Sequence, residues 1–310
     1  MIPDEVGAPA TRASIQLAVL DWYRANARPL AFRRTADPWA ILVSEFMAQQ
    51  TQAARAAEAW ERFLVEFPTP VSLADASPAD ALRAWRGLGY NRRALALRAA
   101  AREIIERYGG QVPSDVEALD ALPGVGPYTA RALAALAFGR RVGAVDTNVR
   151  RVLGRALFDE PPGVSELQAT ADSIAPADRP GEWTHALMDV GATFCKPRNP
   201  HCLECPVRPW CRYAARAAST ARNGEVAPAA APSRPRAVVG RPRFESTSRW
   251  LRGRILDRLR DASPGQWVAF DMPIGEHDPT TVANALARLA TEHLLELREG
   301  VPTEARLPTR

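Results

Sequence analysis

The chain has 310 residues, of which 46% are hydrophobic and 24% are charged, so it can bury a core and is not expected to be disordered. Its sequence shows no apolar run of the ~20 residues that cross a bilayer and does not begin with the basic and then apolar pattern of a signal peptide. We therefore expect a cytoplasmic protein that does not bind membranes. The formal net charge of +5 is compatible with a polyanionic partner but does not require one.

Residues 14–220 are predicted to form a series of helices without convincing strands. Ser14 is expected to cap the first helix, which continues to Asn26, and Asp37 is expected to cap a second helix that starts at Pro38. In the second helix the apolar residues recur at helical spacing, at Trp39, Leu42, Val43, Phe46 and Met47. Further helices are predicted over residues 52–66, 77–86, 91–108, 115–121, 127–138, 146–157, 165–174 and 181–192. This part of the chain is therefore predicted to be all-α.

The pattern changes at residues 219–243, which are rich in Ala, Pro, Gly and Arg and are predicted to be a linker. Residues 244–310 then indicate two amphipathic helices followed by a hairpin. The apolar positions of these helices are Leu251, Ile255 and Leu259 in one, and Val282, Leu286, Leu289 and Ala290 in the other. The sequence thus predicts a small C-terminal α/β unit that is compatible with a winged helix.

Residues 122–130, with the sequence LPGVGPYTA, contain two glycines, Gly124 and Gly126, that permit a tight turn with positive φ. Because helical residues follow, such a turn presents backbone N–H groups at a helix N-terminus, where a phosphate can bind. The pattern is typical of the helix-hairpin-helix of DNA-binding proteins, and an ordinary interhelical turn is the alternative. The residues expected to contact DNA here are Leu122, Gly124, Val125 and Gly126.

Two carboxylates stand where they could face a substrate. Asp146 precedes a basic helix and could simply be its N-cap, or it could face a substrate near the DNA-binding turn. Glu45 lies in the second predicted helix, away from its apolar stripe, and the alternative is a solvated glutamate on a surface helix. The uncharged side chains that follow Glu45 suit contacts with base edges, and they are Gln49, Gln50 and Thr51.

The four cysteines of the chain are close together in the sequence, at Cys195, Cys202, Cys205 and Cys211. In a chain without an export signal, a tight cluster of cysteines favours a metal site over disulfides. The spacing C-x6-C-x2-C-x5-C contains only one short Cys-x2-Cys knuckle. Four thiolates in one loop could therefore hold either Zn²⁺ or a [4Fe–4S] cluster.

Together, the hairpin, the aspartate after it and the cysteine spacing resemble the helix-hairpin-helix superfamily of DNA glycosylases with an iron–sulfur cluster. Within it the chain resembles the MutY-type adenine DNA glycosylases over about residues 15–215. The resemblance implies a mainly α fold with a glycosylase core at 1–218. In this core a six-helix barrel domain covers about 30–140, and a cluster domain combines 1–29 with 141–218. Full-length members of the family end in a Nudix-like domain, for which the C-terminal unit of this chain is too short.

The resemblance also implies catalytic roles for particular residues. Residues 44–51, SEFMAQQT, match the family motif Ser-Glu-x-Met-x-Gln-Gln-Thr, in which the glutamate is catalytic. Glu45 is then the general acid that protonates the adenine, and Asp146 stabilises the positive charge that develops on the sugar. Tyr128 and Asn148 would orient these groups.

A second family motif is matched at residues 87–90, GLGY, whose tyrosine inserts into the duplex. Tyr90 and Gln50 are therefore the implied wedge residues. The DNA-contacting residues in these two motifs are Gln49, Gln50, Thr51, Gly87 and Tyr90. The implied adenine pocket consists of Phe32, Arg33, Ala48, His185 and Met188. The chain departs from the family at Phe32, Ala48 and His185, where Trp, Leu, and Gln or Glu are usual.

The resemblance implies a monomeric base excision repair enzyme that removes adenine opposite 8-oxoguanine or guanine from double-stranded DNA. A [4Fe–4S] cluster would be bound by the four cysteines. Enzymes of the endonuclease III type carry a Schiff-base lysine where this chain has Tyr128, so a monofunctional glycosylase is expected. The alternatives are an endonuclease III-like or thymine-mismatch glycosylase, and a non-catalytic helix-hairpin-helix DNA-binding protein. A location at the bacterial nucleoid follows from the same resemblance.

Overall fold

The computed structural model of the protein describes residues 9–222 and 243–309. The α-helices in these ranges are α1 Pro9–Asn26, α2 Pro38–Ala48, α3 Ala53–Glu66, α4 Pro70–Asp75, α5 Pro78–Ala84, α6 Arg92–Tyr108, α7 Val116–Asp120, α8 Pro127–Phe138, α9 Thr147–Leu157, α10 Val164–Ile174, α11 Pro180–Thr193, α12 Arg212–Arg222, α13 Ser248–Asp261 and α14 Pro279–Thr291. Short 3₁₀ helices occupy Ala31–Arg34, Cys202–Glu204, Arg208–Trp210 and Phe244–Ser246. The strands are β1 Val268–Ala269, β2 Glu296–Arg298 and β3 Val301–Arg306. The predicted mainly α fold is confirmed.

Two compact units account for the contacts of the chain. The first unit comprises Met1–Ile41, Ser114–Ala121 and Val125–Arg236, and the second unit comprises Leu42–Pro113, Leu122–Gly124 and Ala237–Arg310. The domain boundaries inferred from the sequence stay a prediction. Over the two described ranges, no helix combines the length and the apolar character that crossing a membrane requires.

The core of the first unit joins helices that are distant in the sequence. Helix α11 packs against α1, α8 and α9, and Trp183 of α11 is almost completely buried. From α1, the Gln16 side chain donates a hydrogen bond to the carbonyl of Ile174 over 2.9 Å. The apolar core includes Ile15, Val19 and Leu20 of α1, and Val149, Val152 and Leu153 of α9.

The second unit combines α3 to α6 with the C-terminal elements. The rings of Phe63 and Trp85 pack edge to face with 5.8 Å between their centroids. The strands form a three-stranded antiparallel sheet in the order β1-β3-β2, and the apolar stripes of α13 and α14 are buried. The predicted helices and terminal hairpin of this region are therefore confirmed. The backbone N–H of Ala79 donates to the carbonyl of Pro308 over 3.1 Å, which ties the C-terminal segment to α5.

Several element boundaries differ from those predicted. Ser14 does not cap α1, because the helix begins at Pro9 and the Ser14 hydroxyl donates to the carbonyl of Ala10 inside it. Asp37 does cap α2, since its carboxylate accepts a hydrogen bond from the N–H of Trp39. The short helix α4 was not predicted, and it starts with a capping box between Thr69 and Ser72. Helix α12 extends to Arg222, so the predicted linker 219–243 is wrong for residues 219–222, and its residues 223–242 lie outside the described residues.

Candidate active site

Glu45 lies in a helix whose neighbouring side chains are almost all buried. In α2, Ser44, Phe46 and Met47 are at most 3% exposed, and Glu45 itself is partly buried. Because residues 39–44, 46 and 47 are buried, α2 is not a surface helix, and the alternative of a solvated glutamate on a surface helix is wrong. Ala48 closes α2 and is also partly buried.

The chain turns sharply after α2, at Gln49–Thr51. Gln50 is exposed and has φ +54°, a left-handed conformation that costs a residue with a side chain about 1 kcal/mol or more. The turn also contacts the hairpin, because the Gln49 amide donates to the carbonyl of Gly124 over 3.5 Å. Such a conformation persists only where neighbouring groups hold it in place.

Arg93 of α6 is the group that holds this turn. Its guanidinium donates to the carbonyl oxygens of Phe46 (2.8 Å), Met47 (3.1 Å) and Gln49 and to the Thr51 hydroxyl (3.1 Å). The last carbonyls of a helix have no partners within it, so Arg93 supplies the missing donors at the end of α2. Burial lowers the pKa of Arg93 to about 10, and the side chain therefore stays cationic at neutral pH.

The same arginine also holds the GLGY loop. It donates to the carbonyls of Leu88 and Gly89, each over 3.2 Å, and its guanidinium lies 5.6 Å from the centre of the Tyr90 ring. Gly87 and Gly89 have φ +88° and +67°, and Tyr90 has φ +42° with 48% of its surface exposed. One side chain that the sequence did not single out thus joins the two loops that carry the implied wedge residues.

The hairpin glycines have different conformations. Gly124 has φ +77°, and a Cβ added there would lie 2.8 Å from atoms of Phe46 and Ala96, so glycine is required at this position. Gly126 has φ −118° and forms the N-terminal boundary of α8, so the positive φ expected there is wrong. Leu122 and Val125 are buried and contribute to packing.

Asp146 is the N-cap of α9, as one of its two sequence interpretations predicts. One carboxylate oxygen accepts a hydrogen bond from the N–H of Val149 (2.7 Å), and the other accepts from the Asn148 amide (2.8 Å). Asn148 in turn accepts from Arg151 over 2.8 Å. The structure therefore brings Asp146 and Asn148 together, as the resemblance implies.

Arg151 connects this aspartate to the cysteine loop and was not expected from the sequence. Besides Asn148, it donates to the carbonyls of Gly191 (2.8 Å) and Cys195. Glycine is required at Gly191, because a Cβ added there would lie 2.5 Å from Asn148. The start of α9 is thus clamped between α11 and the first cysteine.

The implied adenine pocket is partly assembled within the first unit. The Tyr128 hydroxyl donates to the sulfur of Met188 over 3.7 Å, and Phe32 and His185 are partly buried. Arg33 forms two hydrogen bonds of 2.7 and 2.9 Å to the carboxylate of Asp189, whose side chain is 1% exposed. Arg33 therefore acts as a structural support in this pocket.

Asp189 is a further residue that sequence reasoning missed. Burial opposes its charge, but hydrogen bonds from Arg33 and Arg28 lower the pKa of this carboxyl below its usual range. Burial, helped by the charge of Arg33, lowers the pKa of His185 to about 3. His185 is therefore a neutral imidazole at physiological pH. No local pattern identifies Asp189, because its partner Arg33 lies 156 residues earlier.

The four cysteines line one cavity together with Val152, Phe194 and Val207. Arg155 of α9 donates to the carbonyls of Lys196 (2.8 Å) and Pro197 (3.1 Å) and fixes this loop. Within 9–222 and 243–309, no group of three or more His, Cys, Asp or Glu side chains is arranged to hold a single metal ion. A donor set of four thiols around one cavity fits the ligand chemistry of an iron–sulfur cluster.

The four cysteines are partly buried. Burial raises the pKa of Cys205 to about 11 and also raises the pKa values of Cys202 and Cys211. A metal group that binds here would have to displace the thiol protons. The fold thus places all four cysteines around the same cavity.

The site residues are divided between the two units. The second unit holds Glu45, Ala48, Gln49, Gln50, Thr51, Gly87, Tyr90, Leu122 and Gly124. The first unit holds Phe32, Arg33, Val125, Gly126, Tyr128, Asp146, Asn148, His185, Met188 and the four cysteines.

Comparison with known proteins identifies close relatives. The family model of the HhH-GPD superfamily of base excision DNA repair proteins matches residues 43–176. The chain is 42% identical over 250 residues to an adenine DNA glycosylase of Mycobacterium tuberculosis, and the match covers 79% of this chain and 78% of the relative. It is 39% identical over 285 residues to an adenine DNA glycosylase of Mycolicibacterium smegmatis, and the match covers 90% of this chain and 91% of the relative.

A solved structure of a thermostable thymine-DNA glycosylase has the same fold. It is 29% identical, with a TM-score of 0.62, and the match covers 66% of this chain and 96% of that chain. The fold of the matched part is therefore that of a helix-hairpin-helix DNA glycosylase.

Proposed function

We propose, since the chain belongs to the HhH-GPD superfamily of base excision DNA repair proteins and within it to the adenine DNA glycosylases, that it removes adenine mispaired with guanine or 8-oxoguanine from double-stranded DNA. The observation that carries this proposal is the identity to adenine DNA glycosylases over 78% and 91% of the lengths of two relatives. The enzyme would act as a monomer in base excision repair.

An adenine within a duplex is out of reach of a protein carboxyl group, so the nucleotide must first be turned out of the stack, at a cost of a few kcal/mol. Gln50 and Tyr90 are exposed at the tips of two loops that Arg93 ties together. This arrangement supports a wedge role, in which the two side chains fill the space that the base leaves and offset part of the cost.

Two carboxyl groups would then divide the chemistry. Glu45 donates a proton to N7 of the adenine, and the N-glycosidic bond breaks with its electron pair moving to the base. Asp146 stabilises the oxocarbenium-like sugar by its negative charge. A water molecule adds to C1′ and passes a proton to Glu45, which restores the acid. Asn148 positions Asp146, a role that their hydrogen bond supports, and Tyr128 orients the sugar or the base.

The extruded base would rest against Phe32, Ala48, His185 and Met188. Arg33 would support this pocket through Asp189 instead of touching the base, because both of its terminal nitrogens already bind that carboxylate. The neutral imidazole of His185 can accept or donate one hydrogen bond at the edge of the adenine.

The cysteine loop would hold a [4Fe–4S] cluster through Cys195, Cys202, Cys205 and Cys211. When bound, the cluster would crosslink the loop and supply no electron transfer to base excision. Arg151 and Arg155 connect this loop to α9. Because Asp146 lies at the start of α9, a rigid loop would help to hold Asp146 in position.

A single-turnover assay on a panel of duplexes tests the reaction. Release of adenine opposite 8-oxoguanine and guanine is expected, with little release of thymine or uracil opposite guanine. Preferential release of thymine would favour the thymine-mismatch alternative. Tight duplex binding without release of any base would favour the non-catalytic DNA-binding protein.

Strand cleavage separates this enzyme from the endonuclease III type. A lyase needs an amine that forms a Schiff base with the sugar, and Lys196 is the only lysine of the chain. Borohydride should therefore trap little covalent complex, and the abasic product should stay intact until alkali is added. Efficient trapping that disappears in Lys196→Ala would contradict a monofunctional enzyme.

Metal analysis tests the cluster. Protein purified without oxygen should contain iron and absorb visible light, and Cys205→Ser should lose both signals and weaken DNA affinity. Stoichiometric zinc without iron would overturn the assignment.

A further inference from the structure

The C-terminal elements are anchored to the segment that carries the GLGY loop. Arg260 of α13 is 8% exposed and donates to the carbonyl of Leu82 over 2.9 Å and to the side chain of Asn91 over 2.6 Å. Arg86 and Asp261 form an ion pair of 2.5 Å beside this contact. Since Asn91 directly follows Tyr90, the end of α13 is attached at the base of the tyrosine loop.

The other end of α13 reaches the exposed tyrosine. The guanidinium of Arg249 lies 5.1 Å from the centre of the Tyr90 ring, within the range of a cation–π contact. A terminal nitrogen of Arg249 is also 4.0 Å from where a Cβ on Gly89 would lie. Helix α13 therefore runs along the loop, with a cation beside the side chain that would enter the duplex.

Tyr90 lines two hollows with basic walls. One is also lined by Arg55, Gly87, Arg249 and Arg254. The other is also lined by Gln49, Gln50, Arg92 and Arg252. Arginines thus line both hollows beside Tyr90, and two of them, Arg55 of α3 and Arg92 of α6, lie outside the C-terminal elements.

Three of the arginines are exposed and form no ion pair within the part of the chain that the structure describes. Arg252 and Arg254 are bound to Glu292 (2.7 Å) and Asp257 (2.6 Å). The three remaining cations are Arg55, Arg92 and Arg249. Uncompensated arginines around an exposed aromatic side chain match a polyanion that also offers flat bases for stacking, which describes a nucleic acid strand.

We propose that Arg249 of α13, together with Arg55 and Arg92, binds phosphate groups of the DNA strand into which Tyr90 inserts. A guanidinium can donate two hydrogen bonds to one phosphate, and the glycines at 87 and 89 leave room for the sugar-phosphate backbone. The C-terminal unit is then part of the duplex-binding surface and not an appended module. This inference rests on the proposed function, because it takes Tyr90 as a wedge.

Affinity as a function of salt concentration tests the proposal. Binding of a fluorescent duplex containing an A·8-oxoguanine pair is measured by anisotropy for the full chain and for Arg249→Ala. Each phosphate contact contributes about 0.9 to the slope of log K against log salt. Arg249→Ala should therefore lower the magnitude of the slope by about 0.9 and weaken binding severalfold at low salt.

Arg258 is the matched control. It is exposed on the same helix nine residues later, which at 3.6 residues per turn puts it on the opposite face from Arg249. Arg258→Ala should leave the slope and the affinity at the wild-type values. An equal fall in slope for both variants would show a general effect of charge and overturn the proposal.

Arg249→Lys separates a phosphate contact from mere packing against Tyr90. Lysine keeps the charge, so the slope should stay at the wild-type value, while a guanidinium that only packs on the ring would lose affinity in both variants without any change of slope. That second outcome would overturn the inference. Thermal unfolding should be the same in wild type and Arg249→Ala, which would exclude a general loss of folding as the cause of the change in slope.

The two proposals fail in different ways. Wild-type protein that releases adenine while Arg249→Ala keeps the full slope would refute the phosphate contact alone. Wild-type protein that releases no base but shows the Arg249-dependent slope would refute the glycosylase function and leave the DNA surface in place.

Discussion

The surroundings of Asp146 in the first unit and of Glu45 in the second unit differ in ways that bear on their roles. Asp146 precedes the first residue of α9, where the helix dipole and unpaired backbone N–H groups favour a negative charge, and both of its oxygens accept hydrogen bonds. Glu45 is the eighth of the eleven residues of α2, where the backbone N–H groups are already bonded within the helix, and the next two residues, Phe46 and Met47, are buried apolar side chains.

The difference supports the proposed roles, because position along a helix sets the electrostatic environment of each carboxyl group. A helix start suits a carboxylate that keeps its charge opposite a cationic sugar. A place inside a helix, next to apolar side chains, suits a group that gives up a proton and regains it. In glycosidases, two carboxyl groups in unlike environments take unlike roles.

Replacement of Glu45 by glutamine is the most severe way to break this comparison. Glutamine keeps the shape but cannot deliver the proton, so the single-turnover rate of adenine release should fall by about 10²–10⁴-fold while duplex affinity stays near wild type. Glu61→Gln, on the exposed face of α3, is the control and should be fully active. A Glu45→Gln rate within about threefold of wild type would remove Glu45 from the mechanism.

Asp146→Asn tests the other side of the comparison. Asparagine is also a good N-cap, so the helix should persist while the charge is lost, and base release should slow by roughly 10²–10³-fold, as for other electrostatic stabilisers. Asp115 caps α7 in the same unit, and Asp115→Asn should leave the rate unchanged. Equal losses in the two variants would show that capping, and not charge, is what matters at Asp146.

Arg93→Met sharpens the comparison by removing the support at the end of α2. Carbonyl groups left without a donor cost about 1–3 kcal/mol each, and a single arginine serves several of them, so the free energy of unfolding in urea should fall by about 2–4 kcal/mol. Arg92→Met changes the exposed neighbour and should have little effect on stability. Unchanged stability in Arg93→Met would mean that water replaces the guanidinium without loss.

His185 gives the effect that is smallest over any one pH unit, and it appears as a pH dependence of stability in the first unit. Its pKa is about 3 in the folded state and about 6.5 in an unfolded chain, so the unfolded state binds the proton more readily. Stability is therefore lost as the pH falls below about 6.5, by up to roughly 1.4 kcal/mol per pH unit. In His185→Gln, the free energy of unfolding measured in urea should change much less between pH 6 and pH 4 than in wild type. His293→Asn, at an exposed position, should not show this difference, and a slope that survives His185→Gln would assign it to other groups.

The features that could be predicted from the sequence are those that a local residue pattern determines, namely helices and their caps. Helical spacing gave most helices of the core and both C-terminal helices within a few residues, and Asp37 was correctly identified as a cap. The start of α1 was missed because Pro9 suits a first turn as well as Ser14 suits a cap. The capping box at Thr69 was missed because α4 is too short to show a period.

The supports of the site could not be predicted in this way. Arg93 binds backbone carbonyls, which every residue has, so no residue pattern marks its partners. Asp189 and Arg260 have partners 156 and 178 residues away, and only the folded chain brings them together. Resemblance to a family supplied the catalytic candidates, but the side chains that hold them in place came from the structure.

The hydrogen bond from Gln16 to Ile174 has a consequence for synthesis of the protein on the ribosome. The partners are 158 residues apart, and at about 5–20 residues per second the N-terminal helix waits roughly 8–30 s for them. Until then the apolar stripe of Ile15, Val19 and Leu20 has none of its native cover from α11. The nascent chain thus exposes the apolar stripe of α1 before α9 and α11, which bury it, have been synthesised. This segment is where a chaperone would first be useful.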